Sequence, residues 1–280
     1  MTIIGGMSII LGMKLCISTL ACPTWTLDQI IAGCAQAGVQ GIDFRGIGDE
    51  LDITRLPEFN QRLDETLARF REHGLSMPCL NTSIRLITPH AEEWNSFLDE
   101  CQRYAQLAGQ CGTMYLRVFG GAIPNTMTRD QARMLGERHL RQISKICRTH
   151  GCKVALETHD AWRTSDEVLE LVHALTPDEV GVLWDIEHPI HGGEEVERTV
   201  QRLHRYICHV HIKDCVVEEG RRVSKLLGQG VVPIRECVQA LRDTGYDGWW
   251  SLETEKRWDA QAPEPEQSIP QFVRYMRSLG

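Results

Sequence analysis

Four polar side chains that can bind a metal ion stand at the ends of four apolar runs in the second half of the chain. These candidate ligands are Glu157, Asp185, His211 and Glu253. Charged groups are seldom fully buried unless they are paired or bind a metal ion. Because the carboxyl ends of parallel strands meet at one rim of a barrel, four such endings predict a single metal site.

The intervals between successive candidate ligands are 28, 26 and 42 residues. The first two intervals are each about one strand–helix unit, and we expect an extra loop over residues 214–232 to lengthen the third. A lone carboxylate after a strand is more often a helix N-cap or a loop charge. Four candidates in register on consecutive strands favour a functional site instead.

Three carboxylates and one imidazole form an oxygen-rich ligand set for one divalent cation. Mn²⁺, Mg²⁺ and Co²⁺ suit such a set best, and Zn²⁺ is also compatible with it. Without a cation, three neighbouring carboxylates would repel one another and their pKa values would rise. Water or substrate oxygens would complete the coordination shell, as is typical of catalytic rather than structural metal sites.

Side chains alternate along a strand, and this places two more polar residues near the predicted site. His159 shares the face of Glu157, where it can bind substrate or support a ligand. Lys213 shares the face of His211, and it can hold a substrate oxygen or phosphate or form an ion pair with Asp214.

The same alternation predicts which residues fill the barrel beneath the ligands. They are Ala155 and Leu183 on strands five and six, Ile207 and His209 on strand seven, and Ser251 on strand eight. We expect His209 to be a buried core residue rather than a ligand.

Two arginines and three tryptophans also stand in predicted rim positions. Arg45 and Arg117 follow strands two and four, where surface or structural ion pairs are favoured over binding of a carboxylate or phosphate. Trp25, Trp162 and Trp258 can form an apolar wall over a sugar, but ordinary packing is the favoured interpretation for each.

Short β-rich runs alternate with amphipathic helical patterns from one end of the chain to the other. The eight predicted strands are 15–19, 41–45, 76–82, 113–119, 154–157, 180–186, 206–212 and 248–254. Strict alternation implies parallel strands with right-handed crossovers, and eight units predict an α/β fold of the (β/α)8 TIM barrel type. The alternative fold is an open, doubly wound sheet, and it is disfavoured because no GxGxxG motif follows the first strand. We expect one domain, residues 13–280, preceded by an extension of uncertain structure, residues 1–12.

Composition narrows the functional classes. The chain has 280 residues, 42% of them apolar, and a net charge of −8 without a basic patch, which argues against nucleic-acid binding. Its eleven cysteines are scattered through apolar runs without a CxxC pair, which favours buried thiols in a reducing, cytoplasmic compartment. The apolar start is too short to span a membrane and lacks the features of a signal peptide, so no membrane partner is expected.

Four motifs, in this order, resemble those of a known family. ALETHD, LWDIEHP, HVHIKD and SLETE look like the xylose isomerase-like TIM barrel superfamily of sugar phosphate isomerases and epimerases, and the resemblance runs from about Lys14 onward. It implies that the four candidate ligands bind one divalent metal ion, and that Glu157 and Glu253 also serve as acid and base on opposite faces of a ketose. It also implies that His188 contacts a substrate hydroxyl, and that the protein is a homo-oligomer, dimer or tetramer.

This chemistry predicts an isomerase or epimerase of a ketose or related polyol. A carboxylate removes the proton next to a carbonyl that the cation polarises, and the resulting enediolate is reprotonated. Dehydration begins with the same step, so a lyase of the inosose or dehydroshikimate dehydratase type stays an alternative.

An endonuclease IV-type repair enzyme is disfavoured, because the ends of strands two to four and residues 214–232 contain no histidine. A non-catalytic binding module is disfavoured because all four candidate ligands are present.

Overall fold

The structure is a computed structural model that describes residues 12–280. Eight parallel strands form one sheet. They are β1 Lys14–Ser18, β2 Gly41–Asp43, β3 Cys79–Arg85, β4 Tyr115–Phe119, β5 Lys153–Glu157, β6 Val180–Asp185, β7 Ile207–Ile212 and β10 Trp249–Leu252. Their order in the sheet is β2-β1-β10-β7-β6-β5-β4-β3. Parallel bridges from Gly41 to Ser76 and from Phe44 to Leu80 join β2 to β3. The sheet is thus almost closed, and the predicted (β/α)8 barrel is confirmed.

Helices follow the strands on the outside of the barrel. They are α1 Leu27–Ala37, α2 Leu63–Glu72, α3 Ala91–Cys111, α4 Arg129–Thr149, α5 Ser165–Val172, α6 Glu187–His191, α7 Val196–Leu203, α8 Ile234–Arg242 and α9 Pro265–Arg277. Thr26 caps α1 and Thr128 caps α4, each through a reciprocal capping box with a glutamine three residues later. The short helix α6 was not predicted from the sequence.

The third strand begins later than the sequence pattern predicts. It starts at Cys79 rather than Ser76, and Pro78 lies between these two residues without a backbone N–H to donate to the neighbouring strand. The strand then continues to Arg85 through an irregular register with β4.

Apolar side chains are buried both outside and inside the sheet. Trp184 and Trp250, at 1% and 2% exposure, pack between the sheet and the helices. Inside the barrel, Cys79, Ala155 and Leu183 form a smaller cluster. Ala155 and Leu183 therefore fill the barrel as predicted.

His209 is fully buried, as predicted for a core residue. Its Nε2 donates to Oδ2 of Asp43 over 2.7 Å, and the Cys16 thiol lies 3.5 Å from the same oxygen. Ser251 is also fully buried.

A β-bulge in β7 changes which of its side chains face inward. The register pairs Val182 with Ile207 and then Leu183 with His209, so Cys208 is an extra residue. Ile207 packs in the outer core, whereas Cys208 packs against the inner cluster. The prediction that Ile207 shares the inward face of His209 is therefore wrong, because a bulge reverses the alternation.

Much of the segment 214–232, predicted as an extra loop, is a β-hairpin. Strands β8 Asp214–Glu218 and β9 Arg221–Lys225 pair antiparallel and form a separate two-stranded sheet. This hairpin stands at the carboxyl end of β7, next to the predicted site.

Asp214 fixes the chain that returns from the hairpin. Its carboxylate accepts hydrogen bonds from the backbone N–H groups of Gly228, Gly230 and Val232 at 2.8, 2.9 and 3.2 Å. A Cβ atom on Gly230 would lie 2.1 Å from Oδ1 of Asp214, so only glycine allows this close approach.

The remaining sequence predictions concern the cysteines, membrane-spanning segments and the N-terminal extension. All eleven cysteines are free thiols, nine of them buried, as their apolar surroundings predicted. None of the helices in residues 12–280 has the length and apolar character needed to cross a bilayer. The predicted extension, residues 1–12, lies outside the described residues apart from Gly12.

Candidate metal centre

The barrel brings the four candidate ligands together at its carboxyl rim. Glu157 and Asp185 are the last residues of β5 and β6, and Asp185 is opposite His211 on β7. His211 is in turn opposite Ser251, so Glu253 lies just past the end of β10. One ligand atom from each of the four residues lies within 4.8 Å of the others, and all four residues are buried.

The separations fit a coordination shell. Nδ1 of His211 lies 3.1 Å from Oε1 of Glu157 and 3.0 Å from Oε1 of Glu253. A cation with bonds of about 2.1 Å at right angles holds neighbouring ligand atoms about 3.0 Å apart. Within the described part of the chain, Nε2 of His211 is buried without a hydrogen-bond partner, and Oε2 of Glu157 and Oδ2 of Asp185 are buried in ion pairs with Arg117 and Lys213. Donor set and spacing both fit one divalent ion.

Two of the four side chains have strongly raised pKa values. Burial is the main cause that raises the pKa of Asp185 to about 8. The neighbouring Glu253 and Glu157 also raise this pKa, whereas Lys213 lowers it. Burial alone would lower the pKa of His211, but Glu253 and Glu157 raise it to about 10. The cluster therefore requires positive charge, which protons or a divalent cation can supply.

The two glutamates are kept ionised by basic neighbours. Burial opposes this, but Arg117 lowers the pKa of Glu157. Likewise His211 and Lys213 hold the pKa of Glu253 well below its usual range in spite of burial. Both carboxylates can accept a proton at neutral pH.

Lys213 is buried among acidic side chains. Its Nζ lies 2.7 Å from Oδ2 of Asp185, 3.2 Å from Oε2 of Glu253 and 2.7 Å from Oε1 of Glu255. The alternative ion pair with Asp214 does not form, because that carboxylate accepts the backbone N–H groups described above. Lys213 is therefore directed at the candidate ligands.

His188 and His159 stand together beside the ligands. Nε2 of His188 lies 3.5 Å from Oδ2 of Asp185, and its ring meets that of His159 edge to face at 4.4 Å. Burial and Lys213 lower the pKa of His188, so its imidazole is neutral. The His159 ring also packs 4.8 Å from Phe119.

A cavity of about 360 Å³ opens beside the cluster. Its lining residues include Lys213, Glu253, Glu255, Trp258 and hairpin residues of β8 and β9.

Of the three tryptophans, Trp258 is exposed at this cavity, so the packing favoured for it is not found. Trp162 is fully buried and donates its indole N–H to Gly121, in accord with packing. The side chain of Trp25 contacts Gly33 of α1, also in accord with packing.

Several site residues were missed or underrated from the sequence. Arg117 is 1% exposed and forms the structural ion pair that was favoured for it, but its partner is the candidate ligand Glu157. Glu187, Glu255 and Arg222 were not singled out. Two signals were available: Glu187 stands within LWDIEHP, between Asp185 and His188, and Glu255 is the last residue of SLETE.

The fold and the converging ligands define a TIM barrel with a candidate metal centre at its carboxyl rim. Residues 31–279 match the model of the xylose isomerase-like TIM barrel family. The chain belongs to this family, as its motifs predicted.

Curated relatives and solved structures extend this likeness. An inosose dehydratase of Geobacillus thermodenitrificans is 27% identical over 109 residues, 34% of this chain and 37% of that protein, so the match spans less than half of that relative. An inosose dehydratase of Mesomycoplasma hyopneumoniae is 27% identical over 282 residues, 91% of this chain and 89% of that protein. The crystal structure of the IolI protein with a zinc atom has a TM-score of 0.81 at 20% identity, covering 95% of this chain and 98% of that one.

Proposed function

We propose that this protein is a divalent-metal-dependent isomerase or epimerase of a ketose or related polyol. The observation that supports this most directly is the placement of Glu157 and Glu253. Both are ionised, and both contact the same nitrogen of His211 within a cluster suited to one cation. Proton transfer next to a carbonyl requires this combination of a polarising cation and two groups that exchange a proton.

The two glutamates would act as base and acid in turn. One carboxylate takes the proton from the carbon next to the carbonyl, and the electron pair of that C–H bond forms the carbon–carbon double bond of an enediolate. The other glutamate, after it takes a proton from water, returns that proton to the opposite face of the same carbon, which gives an epimer, while the first glutamate releases its proton to water. Return of the proton to the former carbonyl carbon, with transfer of the hydroxyl proton to the former carbonyl oxygen, gives an isomer. Arg117 and Lys213 support the cycle because they favour the ionised forms of Glu157 and Glu253.

Glu157, Asp185, His211 and Glu253 would hold the cation. It would supply Lewis acidity toward the substrate's oxygens. Three carboxylates favour Mn²⁺, Mg²⁺ or Co²⁺, and the zinc in the IolI structure keeps Zn²⁺ as a candidate.

A small polyhydroxylated substrate fits the cavity beside the cluster. A volume of about 360 Å³ lies at the lower end of the usual range for ligand sites, roughly 300–1,000 Å³. Lys213 and Glu253 line this cavity, so Lys213 can bind a substrate oxygen beside the cation. His188 and His159 are not among the lining residues; they lie together next to Asp185, where neutral His188 can bind a hydroxyl of a substrate that reaches the ligands. A ketose or an inosose presents hydroxyls and a carbonyl to such groups.

A second candidate is a dehydratase on the same scaffold. A relative that matches 91% of the chain is an inosose dehydratase. Water loss needs the same proton abstraction, followed by breakage of the bond to the hydroxyl one carbon further on. Lys213, 3.2 Å from Glu253, can donate the proton with which that hydroxyl leaves as water.

One experiment separates the two candidates. The protein, loaded with Mn²⁺, is incubated in D₂O with a panel of ketoses and inososes, and the products are followed by NMR and mass spectrometry. An isomerase or epimerase incorporates deuterium next to the carbonyl and conserves the atoms of the sugar, whereas a dehydratase gives a product that is lighter by one water. Absence of both exchange and water loss across the panel would contradict the proposal.

A further inference from the structure

A second group of metal-binding side chains lies outside the four candidate ligands. Its members are Glu187 and His191 at the two ends of helix α6 and Cys215 on strand β8. Glu187 and Cys215 are each 3% exposed, whereas the side chain of His191 is 28% exposed. The group therefore lies at the base of the hairpin with one member open to solvent.

The three donor atoms have the mutual spacing of a zinc centre. Sγ of Cys215 lies 3.6 Å from Nε2 of His191 and 3.4 Å from Oε1 of Glu187, and these last two atoms are 3.0 Å apart. Tetrahedral bonds of about 2.3 Å to sulfur, 2.1 Å to nitrogen and 2.0 Å to oxygen would give about 3.6, 3.5 and 3.3 Å for the same three pairs. Each pair agrees to about 0.3 Å, so an ion can enter with little rearrangement.

We propose that Glu187, His191 and Cys215 form a second metal site, selective for Zn²⁺ or a similar borderline cation. Thiolate and imidazole ligands favour such ions, whereas the oxygen-rich cluster favours harder ones. Three protein ligands leave one position of a tetrahedral ion for water. The adjoining cavity, which Glu187 and Cys215 both line, gives water access to that position.

Arg222 is the group that such an ion would displace. Its Nη1 lies 2.9 Å from Oε1 of Glu187, the same oxygen that His191 and Cys215 contact. The Arg222 side chain is 51% exposed, so it can turn into solvent. The Cys215 thiol, whose pKa burial and Glu187 raise to about 12, would lose its proton to solvent as the metal–sulfur bond forms.

The second ion would tie the hairpin to the barrel beside the first site. Lys213 connects the two groups, since its Nζ lies 2.7 Å from Asp185 and 3.9 Å from Oε2 of Glu187. An ion that joins α6 to β8 would hold the cavity wall formed by the hairpin in place. This inference does not depend on the reaction proposed above.

Cobalt spectroscopy of the full chain tests the site directly. A cobalt–thiolate bond gives a charge-transfer band in the near ultraviolet, and the four-ligand cluster contains no sulfur. We expect wild-type protein to bind two Co²⁺ ions and to show this band. Cys215→Ser should bind one ion without the band, and His191→Ala should do the same with the buried cysteine left in place.

Matched controls identify the sulfur and the site. Cys16→Ser removes the thiol of a second cysteine-containing group found among residues 12–280, Cys16, Asp43 and His209, and should keep the band. Glu157→Gln should weaken binding of the first ion, and this variant should also keep the charge-transfer band. A band that survives Cys215→Ser, a band lost in Cys16→Ser, or one bound ion in wild type would overturn the proposal.

Limited proteolysis provides a readout of the hairpin itself. Trypsin cleaves after arginine and lysine, and β9 carries Arg221, Arg222 and Lys225. Zn²⁺ should slow cleavage in β9 at least several-fold in wild type, but not in Cys215→Ser or His191→Ala, both of which keep the first site. Equal protection in wild type and both variants would assign it to the first ion and overturn the role of the second.

Discussion

The guanidinium Nε of Arg117 lies 3.4 Å from Oε2 of Glu157, and the two side chains are only 1% and 2% exposed. The arginine also stacks 3.9 Å above the ring of Phe119. Removing one partner of a buried ion pair leaves an uncompensated charge. Arg117 is therefore placed to control the protonation of Glu157 without being a metal ligand itself.

Replacing Arg117 by methionine should move the acidic limb of the pH–rate profile upward. Burial then raises the pKa of Glu157 without the opposing guanidinium charge, and loss of such a neighbour is worth roughly 1–3 pH units. The profile of kcat/KM against pH measures the shift. Arg117→Lys keeps a positive charge and should shift less, and an unmoved limb in a folded Arg117→Met protein would contradict this assignment.

Glu253→Gln should abolish proton exchange and leave the fold intact. Loss of a positioned acid or base lowers rates by about 10²- to 10⁴-fold, while the amide oxygen can still face the cation. NMR of deuterium incorporation measures the rate, and circular dichroism checks the fold. Glu255→Gln is the matched control, because Glu255 also contacts Lys213 but lies outside the ligand cluster; full activity of Glu253→Gln would remove Glu253 from the mechanism.

Metal affinity should rise with pH, and chelation should stop turnover. The raised pKa values of Asp185, about 8, and His211, about 10, mean that protons compete with the cation below pH 8. Affinity should rise by up to about tenfold per pH unit for each proton displaced. Calorimetric titration with Mn²⁺ in buffers of different ionisation enthalpy counts these protons. A pH-independent affinity between pH 6 and 8 would argue against a site at these ligands.

His139 should make the fold less stable in mild acid. Burial holds the pKa of His139 below the ordinary histidine value of 6.5. Its Nδ1 donates to the Leu86 carbonyl, and its ring stacks 3.6 Å from that of Trp94. Below pH 6.5 the unfolded chain therefore binds a proton that the folded chain does not, so the free energy of unfolding falls as pH falls.

Urea titrations from pH 7 to pH 5 measure this contribution. His139→Gln should flatten the pH dependence of the free energy of unfolding, whereas His73→Gln, at an exposed position, should leave it unchanged. Equal slopes in wild type and His139→Gln would show that other groups produce the acid sensitivity.

The sequence by itself determined the order of the eight strand–helix units and the residues at the strand ends. Both follow from local rules, because side chains alternate along strands and helices end at capping residues such as Thr26 and Gly38. The motifs around Glu157, Asp185, His211 and Glu253 also pointed to one rim. Alternation, capping and motifs are patterns within short segments, so they can be recognised in the sequence without the tertiary structure.

Only the tertiary structure decided which distant groups meet. The bulge at Cys208 reversed the facing of Ile207, and no local pattern shows a register shift between two strands. The pairing of Arg117 with Glu157, and the gathering of Glu187, His191 and Cys215, join residues from separate strand–helix units. Barrel closure fixes these contacts, because it sets which strand ends and which loops lie side by side.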